Sequence, residues 1–151
     1  MEFNDITIMG LKGMSYSDVA DLLSVKDFAV MSSSRVLGCP HIESAAMHAS
    51  RSFVNGTNRS KTFVTEFLLY MAGERQISKA LSKMTPKDGD DMVAVVFNNV
   101  SDLSQFDGYR DDTLIEATEE KAKLLGWNGT ERISYEDLAL EMVAFADILK
   151  V

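Results

Sequence analysis

The run Met92 to Phe97 (MVAVVF) restricts the fold more than any other stretch of this chain. Six consecutive apolar residues rich in valine have the length and residue types of a strand. An unbroken run, as opposed to an alternating one, marks a central strand covered on both faces. Two further runs read as strands: Ile6 to Leu11 (ITIMGL), ending at Gly13, and Phe28 to Met31 (FAVM).

Helical spacing dominates elsewhere. Ser15 opens a helix through Leu23, with Tyr16, Val19, Ala20 and Leu23 at helical intervals. Pro40 fits the first turn of a helix running to about Asn55, lined by Ile42, Ala45, Ala46, Ala49 and Phe53. A turn at Asn55–Asn58 leads to a strongly apolar helix, Lys61 to Met71, closed by Gly73. Arg75 to Met84 follows as an amphipathic helix that Thr85-Pro86 stops. Ser101 to Phe106 makes a short helix or turn, and Glu116 to Leu125 is helical with Gly126 at its end. Ser134 caps the last helix, with Asp137 three residues on. Three or four strands among six or seven helices predict one α/β or α+β domain over residues 1–151, a small central sheet flanked by helices. Strand order stays open at this point.

At 151 residues and 46% apolar content, a chain of this kind buries roughly 68–70% of its unfolded surface and needs no disulfide or metal to fold. Its single cysteine, Cys39, forms no internal disulfide and argues for a reducing compartment. The opening MEFNDITIMG carries two acids and no basic region before an apolar run, unlike a signal peptide. No stretch approaches about 20 apolar residues. The expectation is a cytoplasmic protein with no membrane partner, in which the sequons at Asn55, Asn58 and Asn128 are incidental. The net charge of −8 is unevenly spread. Arg51 to Lys87 holds seven cations against two acids, a net of +5, and the remainder carries −13. Global charge therefore does not exclude a nucleic acid.

Motifs for chemistry are sparse. The sequence holds no phosphate loop, no G-x-G-x-x-G turn, no G-x-S-x-G elbow and no H-E-x-x-H pair. Cys39, His41 and His48 match no structural zinc spacing and read as an ordinary buried thiol and two partly exposed imidazoles. A Cys39–His41 nucleophile pair is the formal alternative. Asp88, Asp90 and Asp91 resemble part of a calcium loop but lack its later glycine and glutamate, so a solvated acidic turn is expected. No catalytic residue, metal, cofactor or small-molecule substrate is expected.

Two features carry more. Arg75, Lys79 and Lys83 fall at i, i+4 and i+8, opposite Ile77, Ala80, Leu81 and Met84, with Arg59 and Lys61 before the preceding helix. This stripe is either a solvated face or a phosphate-binding one, and the sequence offers it few interleaved acids. In the last helix, Leu138, Met142, Phe145 and Leu149 form a stripe expected to face the core. Leu140, Ala144, Ile148 and Val151 form a second stripe, expected to be buried by the fold or by a partner.

The run Asn58 to Leu81 (NRSKTFVTEFLLYMAGERQISKAL), above all Thr65 to Ile77, resembles the TPRKB family, the kinase-binding regulatory subunits of the KEOPS complex. The alanine-rich helix before it, the VAVVF strand and the closing apolar helix occur in that family's order. The resemblance implies a non-catalytic accessory subunit. It would bind the KEOPS kinase-like subunit and recruit tRNA by its 3′ CCA end for threonylcarbamoyladenosine modification. On that basis Arg59, Lys61, Arg75, Gln76, Lys79 and Lys83 would meet tRNA, with Tyr70 as a nearby stacking group, and Leu140, Ala144, Ile148 and Val151 would face the kinase. The chain departs from an RNA-binding profile in its acidity outside the basic segment. The alternatives are a small α/β ligand-binding domain or enzyme with its site near Cys39 and His41, and a kinase adaptor that makes no RNA contact.

Overall fold

The computed structural model describes residues 6–24, 27–98, 102–127 and 134–148. Strands β1 (Ile6–Leu11), β2 (Asp27–Ser32) and β3 (Met92–Phe97) form a sheet in the order β1-β3-β2, with both pairings antiparallel. The uninterrupted apolar run is thus the central strand, and all six of its residues are buried. Alternation along β3 explains why. Val93, Val95 and Phe97 point into one core with Ala29 and Met31 of β2, whereas Met92, Ala94 and Val96 point into a second with Met9 and Leu11 of β1 and Val30 of β2.

The two faces are covered unequally. Helix α1 (Tyr16–Leu22), through Val19, and Phe106 from a 3₁₀ segment (Ser104–Tyr109) cover the second. The first lies under α2 (Cys39–Asn55), α3 (Phe63–Ala72), α4 (Ile77–Met84) and α6 (Tyr135–Ile148), while α5 (Glu119–Leu124) sits to one side. This is a single small α+β domain, as the sequence predicted.

Helix α3 is the hub. It packs on α2, α4, α6 and β2, so it is apolar all round, as an enclosed helix must be. Phe63 and Phe67 meet Phe97 of the sheet edge-on, with centroids 5.0 and 5.1 Å apart. Burying each such ring stabilises the fold by roughly 1.5–3 kcal/mol. Thr62 caps the helix by accepting from Thr65 N. Gly73 ends it at φ +64°, in the left-handed region glycine enters freely.

Glu66, in the first turn of α3, is fully buried. Its Oε1 accepts from the amides of Arg59 (2.9 Å) and Ser60 (3.1 Å), and its Oε2 accepts from the Ser52 hydroxyl of α2 (2.8 Å). One carboxylate therefore fixes the loop before α3 and ties it to α2, a use of the signature's glutamate that spacing alone does not reveal. The free edge of β1 is covered by the segment at 111–112: Gly10 O accepts from Asp111 N at 2.9 Å, and Gly10 N donates to the Asp112 side chain, Oδ1, at 3.0 Å.

Candidate kinase- and tRNA-binding surfaces

The residues expected to meet tRNA fall into two groups. Lys61 is exposed and Arg59 half-buried, both before α3. Arg75, Gln76, Lys79 and Lys83 are exposed beyond its other end. The ten residues of α3, about 15 Å of helix, lie between the two groups along the chain. Nor do Arg75, Lys79 and Lys83 form one helical stripe. After the left-handed turn at Gly73 the chain bends at Arg75 and Gln76, so α4 begins only at Ile77 and Arg75 lies outside it. Lys83 is paired with Glu74, so it is not the unpartnered cation that spacing suggested. Lys61, Arg75 and Lys79 make no ion pair among the described residues. The Arg59 guanidinium is shut in, and its Nη1 and Nη2 have no hydrogen-bond partner there.

Helix α4 buries only Ala80 and Met84. Ile77 and Leu81, expected on the inner side, are each 38% exposed, about 160° around the helix from Lys79. Tyr70, expected nearby as a stacking group, is instead fully enclosed. Its hydroxyl donates to Asp147 Oδ1 on α6 at 3.0 Å. Burial first, and then that carboxylate, push its pKa well above the ordinary phenol value, so it stays a donor.

Helix α6 is organised differently from the expectation. The residues it buries are Ala139, Val143 and Ala146, small groups that let it lie close to α2 and α3. The stripe predicted for the core is displaced to one side. Leu138 and Met142 are half-buried and Phe145 is 54% exposed. All three line an open groove of about 550 Å³ with Met71, Met84, Leu124 and the cations Arg35 and Lys83. Leu149 lies outside the described residues. On the opposite flank, Leu140 (37% exposed) and Ala144 are accessible. Asp147 continues this flank at i+7 from Leu140 and turns toward His48 of α2. Of the other two residues expected here, Val151 and the side chain of Ile148 lie outside the described residues. The outer side of α2 adds Met47 and Val54, 56% and 69% exposed, at i and i+7 with Arg51 between them. Their spacing, opposite Ile42, Ala45, Ala46 and Ala49, was present in the sequence as a signal.

The Cys39–His41 alternative loses its geometry. His41 is fully buried, its Nδ1 accepting from Leu37 N at 3.0 Å and its Nε2 donating to Met71 O at 3.1 Å. Both nitrogens are engaged, and burial pushes the imidazole down to about 4. Cys39 is exposed, contrary to expectation. Partial burial and the neighbouring Glu43 and Asp112 carboxylates raise its thiol pKa, which suppresses the thiolate a nucleophile needs. The Asp88–Asp91 segment is a tight turn in which Asp90 Oδ2 accepts from Lys87 N at 2.9 Å. Among the described residues no group of three or more His, Cys, Asp or Glu is placed to hold a metal, and no helix is long and apolar enough to cross a membrane.

The family model for kinase binding protein CGI-121 matches residues 17–148. No curated protein matches the chain. The match takes in the α3 hub, the exposed α4 and the described part of α6, and the chain belongs to the CGI-121 family of kinase-binding proteins, the TPRKB family that the Asn58–Leu81 run resembles.

Proposed function

We propose that this chain is a non-catalytic, cytoplasmic accessory subunit of the KEOPS complex. It docks on the kinase-like subunit and helps bring the 3′ CCA end of tRNA to the complex for threonylcarbamoyladenosine modification. The observation that carries the docking half is the exposed flank of α6. A helix already buried through Ala139, Val143 and Ala146 still presents Leu140 and Ala144 to solvent, and α2, which packs on it, exposes Met47 and Val54. Exposed apolar side chains on two packed helices suit a protein partner, and the family is one of kinase binders.

The RNA half is supported by α4 and its approach. Arg75, Gln76 and Lys79 are exposed there, and the same short segment also exposes Ile77 and Leu81 on another side. Cations and exposed apolar groups on one short element suit a single-stranded end, whose phosphates need charge and whose bases need a surface to lie on. Lys61 and Arg59, before the other end of α3, would contact a different part of the RNA. A second reading keeps the kinase and drops the RNA. It is favoured by the Lys83–Glu74 pair and the net charge of −8.

Fluorescence anisotropy with full-length tRNA, and with the same tRNA lacking its CCA end, at two salt concentrations decides between them. Salt-dependent binding that drops sharply without CCA supports recruitment, and no binding to either RNA supports the second reading. For docking, Leu140→Glu should abolish co-purification with the kinase-like subunit, whereas Phe145→Glu, on the groove side, should leave it intact. Retained binding by a folded Leu140→Glu variant would overturn the placement.

A further inference from the structure

Three stretches of this chain place an arginine three residues before a serine or threonine: Arg59–Thr62, Arg75–Ser78 and Arg110–Thr113. That spacing is the charge pattern by which one class of serine/threonine kinases reads its substrates. The structure separates the three. Thr62 Oγ1 caps α3, accepting from Thr65 N at 3.3 Å and donating to Thr65 Oγ1 at 2.9 Å, and the Arg59 guanidinium is shut in. Thr113 Oγ1 donates to Asp111 Oδ1, and Arg110 pairs with Asp112 at 2.7 Å. Arg75 and Ser78 are both exposed, and among the described residues neither side chain is held in a hydrogen bond or an ion pair.

The local fold presents this pair. The chain bends at Arg75 and Gln76, so the arginine stands outside the helix, and Ser78 is the second residue of α4. Every residue from Arg75 to Lys79 is exposed. The helix also starts weakly. Gln76 supplies no side-chain cap, no acid lies in the first turn, and Ala80 N to Gln76 O, at 3.0 Å, is the bond that closes that turn. An uncapped helix start frays, which gives a kinase the extended backbone it binds.

We propose that Ser78 is a phosphorylation site, modified by a serine/threonine kinase that recognises an arginine three residues before the acceptor. The phosphoryl donor is ATP. Ser78 Oγ bonds to the γ-phosphorus as the bond from that phosphorus to the β–γ bridging oxygen breaks. ADP leaves, and the hydroxyl proton passes to the kinase's base.

Phosphate changes what α4 offers. It carries about −1.5 to −2 charge at pH 7, three residues from Arg75 and one from Lys79, neither of which has an ion-pair partner among the described residues. Charge of that size offsets both cations. An anion in the first turn also suits the helix dipole. Phosphorylation therefore orders the start of α4 and withdraws it from RNA. The effect on RNA rests on the tRNA recruitment proposed above; the modification does not.

The test incubates the full chain with ATP and the catalytic domain of calmodulin-dependent protein kinase II, which reads this spacing, and locates phosphate by tandem mass spectrometry. Phosphate on Ser78 is expected, absent from Ser78→Ala and formed about tenfold more slowly in Arg75→Gln. Phosphate on Thr62 or Thr113 in preference to Ser78 overturns the proposal. So does a folded chain left unmodified under conditions that modify a peptide of residues 70–84. In the phosphorylated protein, amide protection over Ile77 to Ala80 should rise about two- to fivefold. Anisotropy with full-length tRNA should show weaker binding and a salt dependence shallower by about one to two units of slope. An unchanged first turn, or tRNA binding that phosphate leaves unaltered, overturns the regulatory effect. If the unmodified protein binds no tRNA, the recruitment reading fails, and the mass data and α4 protection still decide the modification.

Discussion

A Cβ on Gly73 would sit 3.2 Å from the main-chain oxygen of Met142, so the turn after α3 touches the backbone of α6 with no room for a side chain. The same residue holds φ +64°, which costs an L-residue about 1–2 kcal/mol by itself. Gly73→Ala should therefore destabilise the protein by about 2 kcal/mol or more in urea unfolding and loosen α6 first. A loss below about 0.5 kcal/mol would mean that the α3–α6 contact gives way easily.

Glu66 accepts from two amides and a hydroxyl with no exposure to water. Glu66→Gln presents an amide donor to at least one of those donors and should cost about 1–3 kcal/mol, and Glu66→Ala more. Equilibrium denaturation would show it, and amide exchange should place the first loosening at residues 58–62.

Stability should fall as acid is added well before carboxylates titrate. The buried His41 binds its proton only near 4 in the folded chain, against about 6.5 when unfolded. The unfolded state therefore takes up the extra proton, and stability present above the unfolded value is lost as pH falls toward 4. Between pH 7 and pH 5 the loss from this group is about 2 kcal/mol. Urea midpoints at the two values measure it, and His41→Gln, if folded, should flatten the profile.

Glu74 masks Lys83. If α4 meets RNA phosphates, Glu74→Gln should tighten tRNA binding and steepen its salt dependence by about one unit of slope, while Lys79→Glu should do the reverse. Anisotropy titrations at several salt concentrations distinguish this from the adaptor without RNA contact, for which neither change matters.

The sheet and the helix ends were legible because each rests on local chemistry. An unbroken valine run declared the central strand, Gly73 a left-handed stop, and Ser134 a cap, whose Oγ accepts from Asp137 N at 3.0 Å. Facing directions were less so. The periodicity of α6 offered several apolar stripes, and size favoured Leu138, Met142 and Phe145 for the core. Close packing on α2 and α3 selected Ala139, Val143 and Ala146, a choice that depends on the distance between helices and not on the helix's own pattern. The Lys83–Glu74 pair and the burial of His41 were hidden for a related reason, since each is created by a turn or a contact between elements. Helical counting placed Arg75 on a stripe because it did not anticipate the bends at Arg75 and Gln76 after Gly73.

Both pairings in the sheet wait for β3, which follows β1 and β2 only after the helices α2, α3 and α4. Leu11 pairs with Met92 and Ile6 with Phe97, while β2 also waits for β3. A nascent chain shorter than about this point holds two strands with nothing to pair with and an apolar α3 with no sheet beneath it. Such non-local closure slows folding and leaves sticky intermediates exposed during synthesis. Fragments that stop before β3 should therefore aggregate in place of folding as a smaller unit, and a partner that engages α6 can act only on a chain whose sheet has already closed.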